Sequence, residues 1–169
     1  MSCLILNTGI SQDCRKSLGG VKRFLVAQLD SITSITEASG VATAITTSGL
    51  FYEFKPTKDS STASAPFNGD VAAGQRAWTH TVVMQFSKTE AAKRNTVAVL
   101  AENSVVVIAE DNNGTYSLYG WTRGLDLTEG DNTLGTTAAE MNGYTLTLSG
   151  DQAYLPLEVD SSIIAGLLT

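Results

Sequence analysis

The chain is 169 residues long, 43% apolar and 17% charged, the size and balance of one folded domain able to build a core without disulfides or metals. A net charge of −6 and a pI near 4.6 argue against a nucleic-acid or anionic-membrane binder, because holding phosphate needs concentrated Lys and Arg. Low charge together with abundant Thr, Ser, Ala, Val and Gly leans toward β structure.

Both cysteines, Cys3 and Cys14, lie near the start. They are too few for a disulfide framework and match no zinc module. They either bridge or stay reduced, and the reading favours reduced thiols of an intracellularly made protein. The opening Met1-Ser-Cys-Leu-Ile-Leu-Asn7 has no basic segment and only three consecutive apolar residues, so no secretory signal is expected. The apolar tail Ile163–Leu168 is far shorter than the ~20 residues of a membrane span.

Residues 1–20 read as an N-terminal arm rich in turn formers, ending in Gly19-Gly20. Val21–Leu29 then alternates as a strand. Asp30–Ser39 is either a helical turn or a short strand, and Val41–Thr47 and Leu50–Phe54 are strands separated by Ser48-Gly49. Residues 55–77 hold two of the three prolines and a Ser/Thr/Ala run without periodicity. A loop of that length is unusual in a compact domain. The expected arrangement is a hairpin, with Leu50–Phe54 pairing onto Ala77–Phe86 and 56–76 projecting as a mobile tip. The projection serves either as an inter-subunit loop or as a plain connection. The candidate contact residues are Lys55, Pro56, Lys58, Asp59, Pro66, Phe67, Asn68 and Asp70.

Trp78, His80, Val82, Met84 and Phe86 share one face of the next strand, so the only histidine falls among core positions. Ser87-Lys-Thr-Glu90 fits a capping box opening a helix over about 88–102. Its apolar stripe is expected at Ala91, Ala92, Thr96, Val99, Leu100 and Asn103, with Lys88, Lys93 and Arg94 facing solvent. Val105–Ala109, continuous and β-branched, reads as a strand buried on both faces. Asn113-Gly114 is a strong hairpin signal, read with both turn residues at positive φ. Asp111, Asn113 and Thr115 do not extend to a calcium loop, because Thr122 stands where the twelfth-position carboxylate belongs.

Trp121–Leu127 reads as a continuing strand, and residues 129–142 as an acidic, glycine-rich loop. Tyr144–Leu148 alternates cleanly, Ser149-Gly-Asp151 reads as a turn, and Ala153–Val159 as its hairpin partner. Pro156 restricts that partner to an edge or a bulge. Residues 160–169 read as a C-terminal arm. The fold class expected is therefore mainly β: an antiparallel β-sandwich or barrel-like single domain over 1–169, with one flanking α-helix.

The chain contains no G-x-S-x-G, H-E-x-x-H, P-loop or Cys/His cluster. No catalytic, cofactor-binding or metal-ligating residue is assigned, and no enzyme is expected. Asp126, Glu129, Asp131 and Glu140 read as a solvated acidic loop in preference to a cation site.

Three pieces together carry a resemblance: Cys14…Gly19-Gly20-Val-Lys-Arg-Phe-Leu-Val-Ala27; Val82–Arg94 with Val105–Gly114; and Asn142–Gly150 with Leu155-Pro-Leu-Glu158. In these the chain resembles the tail-tube and related virion structural proteins of tailed phages and prophages of Bacteroidetes-type hosts. The resemblance implies a β-sandwich subunit, made in the host cytoplasm and assembled into stacked, hexameric rings in the virion tail. The rings form a tube through which phage DNA passes during ejection without sequence-specific binding. It also implies ring and ring–ring contacts through the 55–77 loop and the terminal arms, and contacts with other tail or neck proteins. The alternatives are another morphogenesis component (head–tail connector, tail terminator or capsid-decorating protein), or a ligand-binding β-sandwich using Trp78, Trp121 and the tyrosines as a stacking surface.

Overall fold

The computed structural model describes residues 8–11, 16–70 and 72–168. The first strands are β1 (Val21–Gln28), β2 (Ile32–Ala38), β3 (Val41–Thr47) and β4 (Tyr52–Phe54). Short β5 (Thr62–Ser64) and β6 (Phe67–Asn68) lead into the long β7 (Ala77–Ser87). Helix α1 (Ala91–Glu102) is followed by β8 (Val105–Asp111), β9 (Tyr116–Tyr119), β10 (Asp126–Thr133), β11 (Gly143–Gln152), β12 (Leu157–Val159) and helix α2 (Ser161–Leu167). Among the described residues 47% are strand and 14% helical, so the protein is mainly β. One sheet has the order β2-β3-β12-β9-β8-β1-β4; the other runs β10-β11-β7-β5, with β6 also on β7. All pairings are antiparallel except β3 with β12.

The side-chain pattern explains why two sheets and two helices are needed. Phe24, Val26, Val105 and Val107 point between the sheets and meet Val82, Met84, Tyr144, Leu146 and Leu148. Their sequence neighbours Leu25, Ala27, Val106 and Ile108 point the other way and form a second core with Phe51, Ile164 and Leu167. β1 and β8 are thus buried on both faces, as the unbroken aliphatic run of β8 predicts. The covering layer on the second face is α2, which the sequence reading missed. Residues 160–169, expected as an arm, are helical over Ser161–Leu167. Asp160 caps this helix by accepting from Ser162 N–H at 2.9 Å, and Ile164 and Leu167 are buried.

Several local expectations are corrected. β4 pairs with β1, not with β7, because its Phe54 joins the inter-sheet core beside β1. The capping box does not form: Ser87 still pairs with Gly143 at the end of β7, Lys88 takes φ 68°, and α1 starts after Glu90 without a side-chain cap. Lys93, expected in solvent, instead reaches back to the carbonyls of Ser87 (2.6 Å) and Lys88 (3.0 Å). The helix buries Leu100, with Val97 half-buried against the core, whereas Val99 is 53% exposed.

β11 does not turn at Ser149-Gly-Asp151 but runs straight through to Gln152 beside β7. Gly150 is there for close approach, since a Cβ would lie 2.7 Å from Gly124 O. β12 consequently lies in the opposite sheet, between β3 and β9. Residues 129–133, the first five of the fourteen in the expected acidic loop, belong to strand β10. The β8–β9 turn closes between Asp111 and Thr115 with only Gly114 at positive φ, 84°, a three-residue loop in place of the two-residue type expected.

Glu110, 3% exposed, is held by Lys22 Nζ at 2.7 Å and by Arg23 Nε, and Arg23 also donates to Glu53 at 2.7 Å. Burial pushes the Glu110 carboxyl up, but the hydrogen bonds from Lys22 and Arg23 outweigh it and hold it below its ordinary value. Burial also lowers the pKa of His80, against a hydrogen bond to Tyr154 that raises it. Both folded-state values lie below the unfolded ones, so the unfolded chain takes up more protons as pH falls. The stability these groups contribute is complete above their unfolded pKa values and is lost as pH drops through the folded ones. Thermal stability is therefore expected to weaken first below about pH 6.5, from His80, and again below about pH 4.3, from the carboxylates. Glu110→Gln should flatten the second decline in a pH series of melting curves. A melting temperature that rises on acidification would contradict the assignment.

Candidate functional site

The segment singled out by sequence, 55–77, is not a free projection. Thr57 N–H donates to Gln85 O at 2.7 Å, and Ser60 Oγ ties back to Thr57 O at 2.6 Å. Buried Ser61 accepts from Gln85 N–H at 3.3 Å. Thr62–Ser64 then pair with Val83–Thr81, and Phe67–Asn68 with Trp78–Ala77. The segment turns twice and lies along β7 because that strand otherwise presents an unpaired edge. Among the described residues, only 69–70 and 72–76 extend past the pairing. Within this tip Asp70 accepts from Ala72 and Ala73 N–H at 2.8 and 3.3 Å, and its carbonyl receives Gln75 N–H at 2.9 Å.

The eight candidate residues consequently fall into two groups. Lys55, Pro56, Lys58 and Asp59 sit by the Gln85 end of β7; Lys55 pairs with Glu53 at 3.2 Å, and Asp59 adopts φ 57°. Pro66, Phe67, Asn68 and Asp70 sit at the Trp78 end: Pro66 O accepts from Thr79 N–H at 3.0 Å, Asn68 reaches Thr79 Oγ1 at 3.3 Å, and Phe67 meets Trp78 edge-on at 5.2 Å. Seven residues of strand, roughly 23 Å, separate them. All are exposed except Pro56, which is half-buried. They make two surfaces, not one.

His80 is a structural histidine. It is fully buried, its Nε2 donates to Tyr154 O at 2.9 Å, and its Nδ1 accepts from Gly120 N–H at 3.1 Å. Both ring nitrogens are used, which fixes the neutral Nε2–H tautomer. Tyr119 packs edge-on at 5.5 Å. Gln152 does the same work from β11: its carbonyl oxygen accepts from Thr122 N–H, Arg123 N–H and Thr122 Oγ1, and its amide donates to Gly124 O at 2.9 Å. These two side chains pin the 120–124 turn that carries the chain from one sheet to the other.

The acidic residues do not converge. Asp126 accepts from Ser104 Oγ at 2.5 Å, Glu129 and Asp131 stand along β10, and Glu140 binds the Thr136 and Thr137 amides of its own loop. Among the described residues no group of three His, Cys, Asp or Glu is placed to hold a metal ion. Trp121 stacks on Tyr154 at 5.4 Å. Cys3 and Cys14 lie outside the described residues. No helix of the described chain is long and apolar enough to cross a membrane.

What the sequence reading missed is a cleft of about 810 Å³ between β4 and α1. Leu50, Tyr52 and Val99 form its rim and are 44%, 67% and 53% exposed, while Phe86 and Leu146 lie deeper. The signal was present in α1, whose apolar residues spread wider than the single stripe that Val97 and Leu100 fill.

No protein-family model, curated protein or solved structure matches the chain.

Proposed function

We propose that the protein is a structural virion subunit of a tailed phage, the tail tube protein, self-assembling into stacked rings that conduct DNA. The observation that carries this reading is the open perimeter of the fold. Neither sheet closes among the described residues: β2 and β4 end one, β10 and β5 end the other. An unpaired strand edge beside exposed apolar side chains is a template for pairing with another chain. Edge β10 carries Asp126, Glu129 and Asp131, and such charge guards against indiscriminate pairing. β4, which exposes Tyr52 and is preceded by the exposed Leu50, carries one acid and is the edge suited to a specific contact. The sequence resemblance supplies the identity of the assembly, and the net charge of −6 suits a surface that DNA passes without being held.

The projecting tip provides the test. Replacing 70–75 with a two-residue Asn-Gly turn keeps every strand pair on β7, so the melting temperature should stay close to that of the parent. Ring–ring stacking should be lost, giving separate rings or monomers where the parent gives tubes in negative stain. Tubes of unaltered length from the shortened chain would count against the tip as a contact.

A further inference from the structure

We infer that Asn113 is a modification site: its side-chain amide is lost by spontaneous deamidation, and the loss unclasps Ser17 and Leu18 from the β8–β9 turn for good. The inference does not depend on what the chain assembles into.

The chain has three Asn-Gly pairs, Asn68-Gly69, Asn113-Gly114 and Asn142-Gly143. A glycine after asparagine leaves its backbone nitrogen open to the side-chain carbonyl carbon, because it has no Cβ to shield the approach. Ring closure also needs the backbone to swing, and here the three pairs differ. A Cβ on Gly69 would lie 2.7 Å from Gln75 O, and one on Gly143 would lie 1.9 Å from Phe86 O. Both glycines are wedged against neighbouring main chain. Around the Cβ position of Gly114 no described residue comes within 4 Å. Asn113 and Gly114 are both exposed, and Gly114 N–H is tied to Asp111 O by a bond of 3.2 Å.

The step balances with water as its one co-reactant. Gly114 N bonds to Asn113 Cγ while the Cγ–Nδ2 bond breaks, so Nδ2 leaves as ammonia and a cyclic imide remains. Water then opens the imide to aspartate or to the isoaspartate linkage. Either product carries a free carboxylate and no side-chain amide.

That exchange falls on a grip. Asn113 Nδ2 donates to Leu18 O and to Asp111 Oδ2 at 2.9 Å each and lies 3.2 Å from Ser17 Oγ, while its Oδ1 accepts from Leu18 N–H at 2.9 Å. In the aspartate product the carboxylate keeps the acceptor and loses every donation. Its second oxygen then faces the Leu18 carbonyl and the Asp111 carboxylate with no proton between, and both repel it. Gly19 and Gly20 stay held, by Asn112 Nδ2 to Gly19 O at 2.7 Å and Asn112 N–H to Gly20 O at 3.2 Å. The release therefore stops at Gly19, and β1 keeps its place.

The intact protein, stored at mildly alkaline pH and mapped by peptide mass spectrometry, tests the site. Aspartate and isoaspartate should accumulate at 113 roughly tenfold or more above 68 and 142, since the reaction needs local opening. Trypsin tests the release. An Asn113→Asp variant should be cut after the exposed Lys16 about tenfold faster than the parent, the scale of one or two lost hydrogen bonds. Asn142→Asp should be cut at the parent rate, because Thr89 Oγ1 donates to Asn142 Oδ1 at 2.9 Å and a carboxylate still accepts there. Equal or greater deamidation at 68 or 142, or none at 113, would overturn the site. An Asn113→Asp chain cut after Lys16 no faster than the parent would overturn the release. So would digestion throughout that chain, which would show that Asn113 holds the whole fold and not the clasp.

Discussion

Gly143→Ala is expected to cost more than about 4 kcal/mol, beyond the range of ordinary substitutions, or to prevent folding. Gly143 opens β11, opposite Ser87 of β7 on one side and Thr133 of β10 on the other. A Cβ at this position would lie 1.9 Å from Phe86 O, and 2.9 Å from both Phe86 C and Ser87 Cα. Every one of these atoms is backbone, so no rotamer change relieves the clash; the central strand pair of the second sheet has to separate. Gly166 in α2 is the matched control. Nothing lies within 4 Å of its Cβ position, and alanine there should stabilise by about 0.5–1 kcal/mol through helix propensity. Denaturant curves of the two variants test the contrast. A Gly143→Ala chain unfolding within about 1 kcal/mol of the parent would mean that β7 and β11 do not approach as described.

The second large effect is expected at the clamp on the 120–124 turn. His80→Ala removes a fully buried ring and leaves the buried Gly120 N–H without its acceptor. The cavity and the unpaired group together should cost roughly 3–5 kcal/mol. His80→Leu refills most of the volume but not the hydrogen bond, so its cost should drop to about 1–3 kcal/mol. Gln152→Ala strips the same turn of an acceptor shared by Thr122 and Arg123 and of a donor to Gly124 O. Because the exposed Thr122 and Arg123 amides regain water, roughly 2–4 kcal/mol is expected. The double variant should cost less than the sum, by about 0.5–3 kcal/mol, since each side chain steadies what the other holds. Strict additivity in the equilibrium unfolding energies would show that the two residues act on separate elements.

How far the sequence spoke depended on the range of the interaction. Where one strand's own pattern decides its burial, the reading was sound: Val105–Ala109 is buried on both faces, and His80, Val82 and Met84 face the core. Where a distant partner decides, it was not. Gly150 looks like a turn residue until Gly124 O is found against it. Ser87 looks like a helix cap until it is seen still paired in β7. The Ser/Thr/Ala run at 60–65 has no periodicity of its own because only one short piece of it, Thr62–Ser64, is strand, docked on the edge of β7. The candidate loop was located, but its residues divide between the two ends of β7. The cleft escaped notice because its walls, Leu50 and Tyr52 on one side and Val99 on the other, are nearly fifty positions apart and each is unremarkable alone.

We propose that this chain is a self-assembling subunit whose open edges are completed by other copies. The decisive measurement is negative-stain electron microscopy of the intact protein, purified at high concentration. A self-assembling subunit should give rings with a central channel, stacked into tubes. A field of uniform single-chain particles, unchanged on further concentration, would contradict it.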